Sequence, residues 1–532
     1  MATTKECHVA GRSGNRPVPE ARPPVYSGAM SSQTNPAAAL DALLQSATAH
    51  HGAGRLDEAA RLYHEVLARA PDHAVALNRL AIIALQTDAP EPAIELCRRA
   101  IAAAPDVAET YNHMGLALQR TGRLDAALEA FERAVALKPT FADAHYHLAV
   151  AARAGGRAQR AEAAYRAAIA ADARFASAYI ELGALLQGQR RLDDAAAVYR
   201  QALTVRDDYA PILGNLALVR HQQGALDEAI AFAERAARAE PGSAELATNL
   251  GILLQERGRL DEAGAAFARA LALKPDYAPA HAHAGLLAHE RGGIDEAVER
   301  FGAVLRLKPD DEDARFMLAV LQGAPLTRAP AGYVGRLFDQ YAGRFDDHLT
   351  NTLGYRAPED LAAMIAALDA GRERATVLDI GCGTGLSGLP FRAGARRLIG
   401  LDLSAEMLAR AKTRGIYDEL HQADARDFLA RFVGAIDLAI AADVLVYVGD
   451  AAPLFDALAP RIPPGGLFAL SIERRDDGTF ALEPTGRFSH NPEHIAALAA
   501  GAGFEVRAAR DAIIRHERRA PAHGALIVLQ KV

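Results

Sequence analysis

Cysteine is almost absent from this chain: Cys7, Cys97 and Cys382 are the three in 532 residues, and they lie far apart. That excludes a disulfide framework, offers no zinc-ligand spacing, and fits a reducing compartment, so a cytoplasmic location is expected. Missing too is any run of about eighteen apolar residues, so no membrane span is predicted. The opening stretch has no apolar signal-peptide centre and is rich in Pro, Gly, Ser and Arg. Residues 1–39 are therefore expected to be disordered, with Met30 as the expected start of translation. A basic excess is lacking as well: the net charge is -7, which gives no drive toward nucleic acid, and no DNA binding is expected. Half the residues are hydrophobic, enough for a large core.

What the chain does have is periodicity. Pro71, Pro105, Pro139, Pro241, Pro275 and Pro309 lie on one 34-residue grid, with Ala173 and Asp207 at its two other points. A second grid, from Ala59 to Ala297, is alanine throughout, and a third, from Ala47 to Gly285, holds only Ala or Gly. Small residues on two helices per unit let the pair pack closely, and the prolines end each second helix. Between the paired helices stand Gly54, Gly122, Gly156, Gly224, Gly258 and Gly292, with Asp88 and Arg190 as departures.

These units resemble the tetratricopeptide repeat, and eight of them are predicted over residues 40–311. The resemblance implies helical hairpins stacked into a superhelix, whose first helices line a concave groove for a peptide or partner protein. One file of groove positions runs from Gln45, Arg79, His113 and His147 to His283. A neighbouring file includes His51, Gln187, His221, Gln255 and His289. These amides and imidazoles are expected to hydrogen-bond a peptide backbone. His145 with His147, and His281 with His283, are two residues apart and do not share a helix face, so no metal site is expected. Residues 312–330 are predicted to form a closing helix over the last repeat and then a short, semi-rigid proline-containing linker.

The second organised stretch is Val377–Gly385, VLDIGCGTG: a buried strand and then a glycine turn. Gly381, Gly383 and Gly385 fall at spacing two, GxGxG rather than the GxGxxG of a dinucleotide site. Bare backbone there lets a ligand approach closely. Asp379 interrupts the apolar strand. Asp402 ends a second strand 23 residues on, Asp424 follows a third, and Asp443 ends a fourth. In an open α/β sheet, strand carboxyl ends are where ligands bind, so the four acids are predicted to share one site.

This ordered set, from about Tyr333 onward, resembles the class I S-adenosylmethionine-dependent methyltransferases. The resemblance implies a Rossmann-like, seven-stranded α/β domain over 331–532, closed by an antiparallel hairpin, and S-adenosylmethionine as methyl donor. By position, Gly381, Gly383 and Gly385 would hold the methionine part, with Asp379 on its ammonium group. Asp402 would take the ribose hydroxyls, Leu403 would pack on adenine, and Asp424 and the Ala425 N–H would meet the adenine edge. Tyr341, with Arg344 and Phe345, would form a lid, although the stripe Phe338, Tyr341, Phe345, Leu349 also suits an ordinary amphipathic helix. Asp443 would stand between cofactor and acceptor, and Tyr447 beside the transferred methyl. The stretch after the fifth strand offers Arg487 and His490 on the acceptor side, His490 as a general base. The whole looks like the bacterial tetratricopeptide-repeat methyltransferases, which implies the reaction class and leaves the acceptor open. The alternative is a non-catalytic scaffold whose sheet domain is structural or only senses the cofactor.

Overall fold

The computed structural model describes residues 36–347, 349, 353–369, 372–517 and 520–532. The expected start at Met30 and most of the expected disordered lead lie outside the described residues, as does the side chain of Arg344. By packing, the chain divides into two compact units, Met1–Ala164 and Tyr165–Val532, the division falling inside the fourth repeat.

Sixteen helices, from Pro36–Gly52 to Ile294–Leu307, pair into the eight hairpins; the first helix starts at Pro36 rather than Leu40. The local reasons are those of the period. Turn glycines such as Gly122 and Gly258 sit at φ 75° and 82°, and the two departures, Asp88 and Arg190, take the same left-handed conformation at 55° and 62°. The small-residue grid faces aromatic rings of the second helix. A Cβ on Gly115 would stand 2.5 Å from Phe131, and one on Gly251 would stand 2.5 Å from Phe267.

Within the first unit the groove side chains are committed to one another. His51 pairs with Gln86 at 3.1 Å, Asn78 with His113 at 2.8 Å, and Asn112 with His147 at 2.9 Å. His145 instead bonds the Pro139 carbonyl of its own turn at 2.9 Å. Burial pushes His113 down to about 4 and lowers His147, which favours the neutral ring in both.

The second unit repeats the ladder: Gln187 Nε2 donates to Gln222 at 3.3 Å, His221 pairs with Glu256 at 2.6 Å, and Gln255 Nε2 donates to Glu290 at 3.1 Å. The predicted closing helix is Glu312–Leu321, begun by Asp311, whose Oδ1 accepts the Ala314 N–H at 2.9 Å. The linker then runs along the loop after the fourth strand. Thr327 O accepts the Gly449 and Asp450 N–H groups at 2.8 Å each, and Ala329 N–H donates to Tyr447 O at 3.0 Å. Proline alone would have left a stiff joint. These backbone bonds fasten it.

The sheet comprises β1 (Arg374–Ile380), β2 (Ala395–Asp402), β3 (Glu419–Gln422), β4 (Leu438–Ala441), β5 (Leu467–Arg474), β6 (Phe480–Leu482), β7 (Phe488–His490), β8 (Phe504–Glu517) and β9 (Ala520–Lys531). Strands β3-β2-β1-β4-β5 run parallel; β9 joins β5 antiparallel, and β8 pairs with β9. Those seven are the expected strands. The count is nine because the segment after β5 folds into a β6–β7 hairpin, β7 joining the end of β5 at Glu473↔Ser489 and Arg474↔His490. Central strands are buried on both faces. Leu378, Ile399 and Phe468 pack with the helices Ala452–Leu458 and Pro492–Gly501, while Val377, Leu398 and Ile440 pack with the helix Ala357–Leu368.

Candidate functional site

The topology brings the carboxyl ends of β1, β2, β3 and β4 to one edge, and a cavity of about 1710 Å³ opens there. Gly381, Gly383, Asp402, Leu403, Asp424, Ala425, Asp443, Tyr447 and Tyr341 all line it. Of the residues expected to contact a ligand, Asp379, Gly385 and His490 do not.

The turn needs its glycines. Gly381, Gly383 and Gly385 have φ of 68°, 54° and 92°, a region that side chains rarely adopt. A Cβ on Gly381 would lie 2.7 Å from Val444 Cγ2. Gly385 packs instead on Tyr417 and Arg414, so its role is in the turn rather than at the cavity wall. Cys382, between the glycines, is buried, and burial raises its thiol well above the ordinary range. It is held as a thiol.

Asp379 is fully buried at the end of β1. Its Oδ2 accepts the Ser387 hydroxyl at 2.7 Å and the Tyr417 hydroxyl at 2.6 Å, while Oδ1 has no partner. Burial outweighs those two hydrogen bonds and lifts the carboxyl to about 7. Its unpartnered Oδ1 is a polar group that a cation reaching it from the neighbouring cavity would satisfy.

Asp402 is oriented by backbone. Gly383 N–H donates to Oδ2 and Ser404 N–H to Oδ1, each at 2.8 Å, so the strand end and the glycine turn are tied together. Burial raises its pKa, against these bonds. Asp424 caps the helix Ala425–Arg431: its Oδ1 accepts the Arg426 N–H at 2.9 Å, and its Oδ2 accepts from Arg328 of the linker at 2.7 Å. Both oxygens thus already have protein donors, which an adenine amino group would have to share. Ala425 N–H is the first of that helix, where no intrahelical acceptor exists.

Asp443 is held at φ 60° by its N–H on Ser471 Oγ at 2.7 Å and by Arg515, whose Nη1 donates to Oδ1 at 2.7 Å. Arg515 comes from β8, is 1% exposed, and also pairs with Glu473. Tyr447 hydrogen-bonds Arg487, and burial raises its pKa. His490 corrects the expectation of an acceptor-side base. It is fully buried in β7, its Nε2 meets the Leu445 carbonyl at 3.1 Å, and burial lowers its pKa. The reason is the β5–β7 pairing, which turns that strand inward.

The lid and stripe expectations describe the same residues. Phe338, Tyr341, Phe345 and Leu349 all line the cavity, and Phe338 meets Tyr447 edge-on at 5.5 Å. Two acids fasten this segment. Asp339 accepts the Ser404 hydroxyl at 2.6 Å and the Glu406 N–H at 3.2 Å, and Asp346 binds Thr384 and Arg414.

Sequence reasoning missed Tyr355, Ser387, Arg328 and Arg515 as cavity residues. Tyr355 lines the cavity, and its pKa is raised well above the ordinary value by burial and then by the charges of Asp443 and Asp379. None of the four carries a local motif. They arrive from separate elements.

A Rossmann-like sheet with a terminal antiparallel hairpin, a GxGxG turn and strand-end acids at one edge is consistent with a methyltransferase fold. Known proteins agree: residues 377–466 match the family model of a methyltransferase domain, and residues 50–113, 113–174, 180–244 and 220–289 match tetratricopeptide-repeat models. The chain combines tetratricopeptide repeats with a methyltransferase domain. It is 36% identical over 167 residues to trans-aconitate 2-methyltransferase of Azoarcus sp. strain BH72, covering 31% of this chain and 60% of that protein. It is 33% identical over 111 residues to ubiquinone biosynthesis O-methyltransferase of Aromatoleum aromaticum, covering 20% and 47%. The chain thus spans about half the length of these relatives. Among solved structures it is similar to PilF of Pseudomonas aeruginosa, with 23% identity over 40% of this chain and 96% of that one and a TM-score of 0.34.

Among the described residues no helix is long and apolar enough to cross a membrane.

Proposed function

We propose that the chain is an S-adenosylmethionine-dependent methyltransferase whose repeat array positions the acceptor or holds a protein partner. The observation that carries this is the orphaned Oδ1 of buried Asp379 behind a turn whose three glycines all take positive φ and whose Gly381 leaves no room for a Cβ, at the edge where Asp402 lines the cavity. A cofactor with a cationic amino-acid end and a ribose fits that donor set. Asp379 would face its ammonium group, Asp402 its ribose hydroxyls, Leu403 its base, and Asp424 with the Ala425 N–H the edge of that base.

When bound, the cofactor supplies an already activated methyl on sulfur. The chain's own task is to align an acceptor lone pair and exclude water. Phe338, Tyr341 and Phe345 line the cavity with aromatic surface, which would help exclude water once a ligand is in place. Asp443, held by Arg515, lines the same cavity as Tyr447 and Tyr355, and an acceptor proton could pass to its carboxylate. His490, buried outside the cavity lining with its Nε2 on the Leu445 carbonyl, would take no part in this.

The test is calorimetric titration with S-adenosylhomocysteine, followed by transfer of tritiated methyl from S-adenosylmethionine into a cell extract. Binding together with transfer supports the enzyme. Tight binding with no label in any fraction favours a cofactor-sensing scaffold, and no binding removes both readings.

A further inference from the structure

The array's own residues reach the cavity. Leu286, His289 and Glu290 of the helix Ala278–Glu290, and Gln255 of the helix Ala244–Glu256, line it together with Asp443, Tyr447 and Arg487. The wall is fixed in place. One hydrophobic cluster runs from Phe301 and Val304 of the eighth repeat through Phe316 and Met317 of the closing helix to Val334, with Leu403 and Tyr447 packed against it.

The four array residues are not equivalent. Gln255 and Glu290 are committed to each other. Leu286 stays 37% exposed while its neighbour Leu287 is 4% exposed, so it keeps apolar surface on the cavity side of its helix. His289 has a buried Nδ1 without a hydrogen-bond partner.

The space is also larger than one ligand requires. Pockets for drug-sized molecules run to about 1,000 Å³, and this one is about 1710 Å³. A nucleoside cofactor leaves room for a second molecule of similar size. The same cavity is also lined by Pro484, Thr485 and Arg487 of the β6–β7 hairpin, again one apolar residue beside hydrogen-bonding groups. Meanwhile Gln187, His221 and Gln255 of the groove are already hydrogen-bonded to the next repeat and have less to offer a peptide backbone.

We propose that Leu286 and His289 of the eighth repeat form one wall of the acceptor compartment, and that the acceptor is a small amphipathic molecule. Its apolar body lies on Leu286 and Pro484, and its polar group bonds His289 and Thr485. The array is then part of the active site rather than a remote recruiting module. This rests on the methyltransferase reading above.

The full-length protein is incubated with tritiated S-adenosylmethionine and limiting cell extract, and the products are separated by ultrafiltration into small molecules and macromolecules. Label is expected in the small-molecule fraction. Leu286→Trp and His289→Ala are each expected to lower it about tenfold, a loss of one decade in effective acceptor affinity. The His289→Ala loss should be recovered with concentrated extract, while affinity for S-adenosylhomocysteine stays within about threefold of wild type. Leu218→Trp, on the same helix face two repeats earlier and outside the cavity, should transfer as wild type does. Label confined to the macromolecular fraction, unchanged transfer by Leu286→Trp and His289→Ala, or equal damage from Leu218→Trp would each overturn the proposal while sparing the catalytic reading. Wild-type protein that binds S-adenosylhomocysteine and labels nothing would instead overturn the catalytic reading, and this proposal with it.

Discussion

Binding of S-adenosylhomocysteine should expel a proton, and the amount follows from Asp379. In the ligand-free protein its carboxyl has a pKa of about 7, because burial outweighs the Ser387 and Tyr417 hydrogen bonds. Near pH 6.5 about three quarters of the molecules therefore hold the proton. An ammonium group brought to the orphaned Oδ1 favours the carboxylate, and an opposite charge at contact distance lowers such a pKa by about 1–3 units. With a shift of about two units almost every bound molecule is ionised, so about 0.7 proton leaves per ligand. The release should fade to about 0.1 by pH 8, where the free protein is already ionised.

The same shift has a stability counterpart. The folded state holds this proton more tightly than the unfolded chain, whose pKa is 3.8, so the group's contribution is full below that pH and is lost as pH rises to about 7. The loss is at most about 4 kcal/mol, and Asp379→Asn should flatten it. Calorimetry in buffers of different ionisation enthalpy reads the proton number directly. A value of zero near pH 6.5, or an unchanged value in Asp379→Asn, would show that Asp379 does not meet the ligand's cation.

Other outcomes follow from individual contacts. Asp402→Ala should weaken S-adenosylhomocysteine binding at least about a hundredfold by calorimetry, since two charge-assisted hydrogen bonds contribute about 1.5–3 kcal/mol each; a change within threefold would remove the ribose role. Gly381→Ala forces a side chain into φ 68° and against Val444, and about 1–2 kcal/mol of backbone strain alone should lower both melting temperature and ligand affinity. Arg515→Leu leaves Asp443 and Glu473 facing each other without their cation, and urea unfolding should show a loss of about 3–5 kcal/mol. Arg190→Gly relieves a left-handed residue but removes an exposed ion pair with Glu406. Each effect is about 1 kcal/mol or less, so a near-neutral change is expected, and a loss well above that would make this pair a clamp between repeat and sheet domain.

Much of the molecule was legible because its determinants are local. A proline grid, an invariant alanine grid and turn glycines specify a hairpin from within 34 residues, and the left-handed φ at Asp88 and Arg190 shows the backbone holding the pattern where glycine is missing. Likewise Asp379, Asp402, Asp424 and Asp443 each lie at or just past the carboxyl end of a strand, and strand ends in such a sheet share one edge whatever lies between them.

Side-chain direction was not legible. His490 follows the fifth strand as an acceptor-side residue should, yet β7 pairs with β5 and turns its ring onto Leu445. The groove files were read as open to a ligand because a 34-residue repeat shows which positions recur, not that residues 35 apart meet across stacked helices.

By itself, then, the sequence determined which elements form and which backbone positions must be bare, since those depend on dihedral preferences and apolar spacing over a few turns of chain. Only tertiary structure decided that Arg515, Tyr355, Arg328 and Leu286, from four distant segments, border one cavity, because such neighbours are chosen by the packing of whole elements and leave no mark in the local pattern.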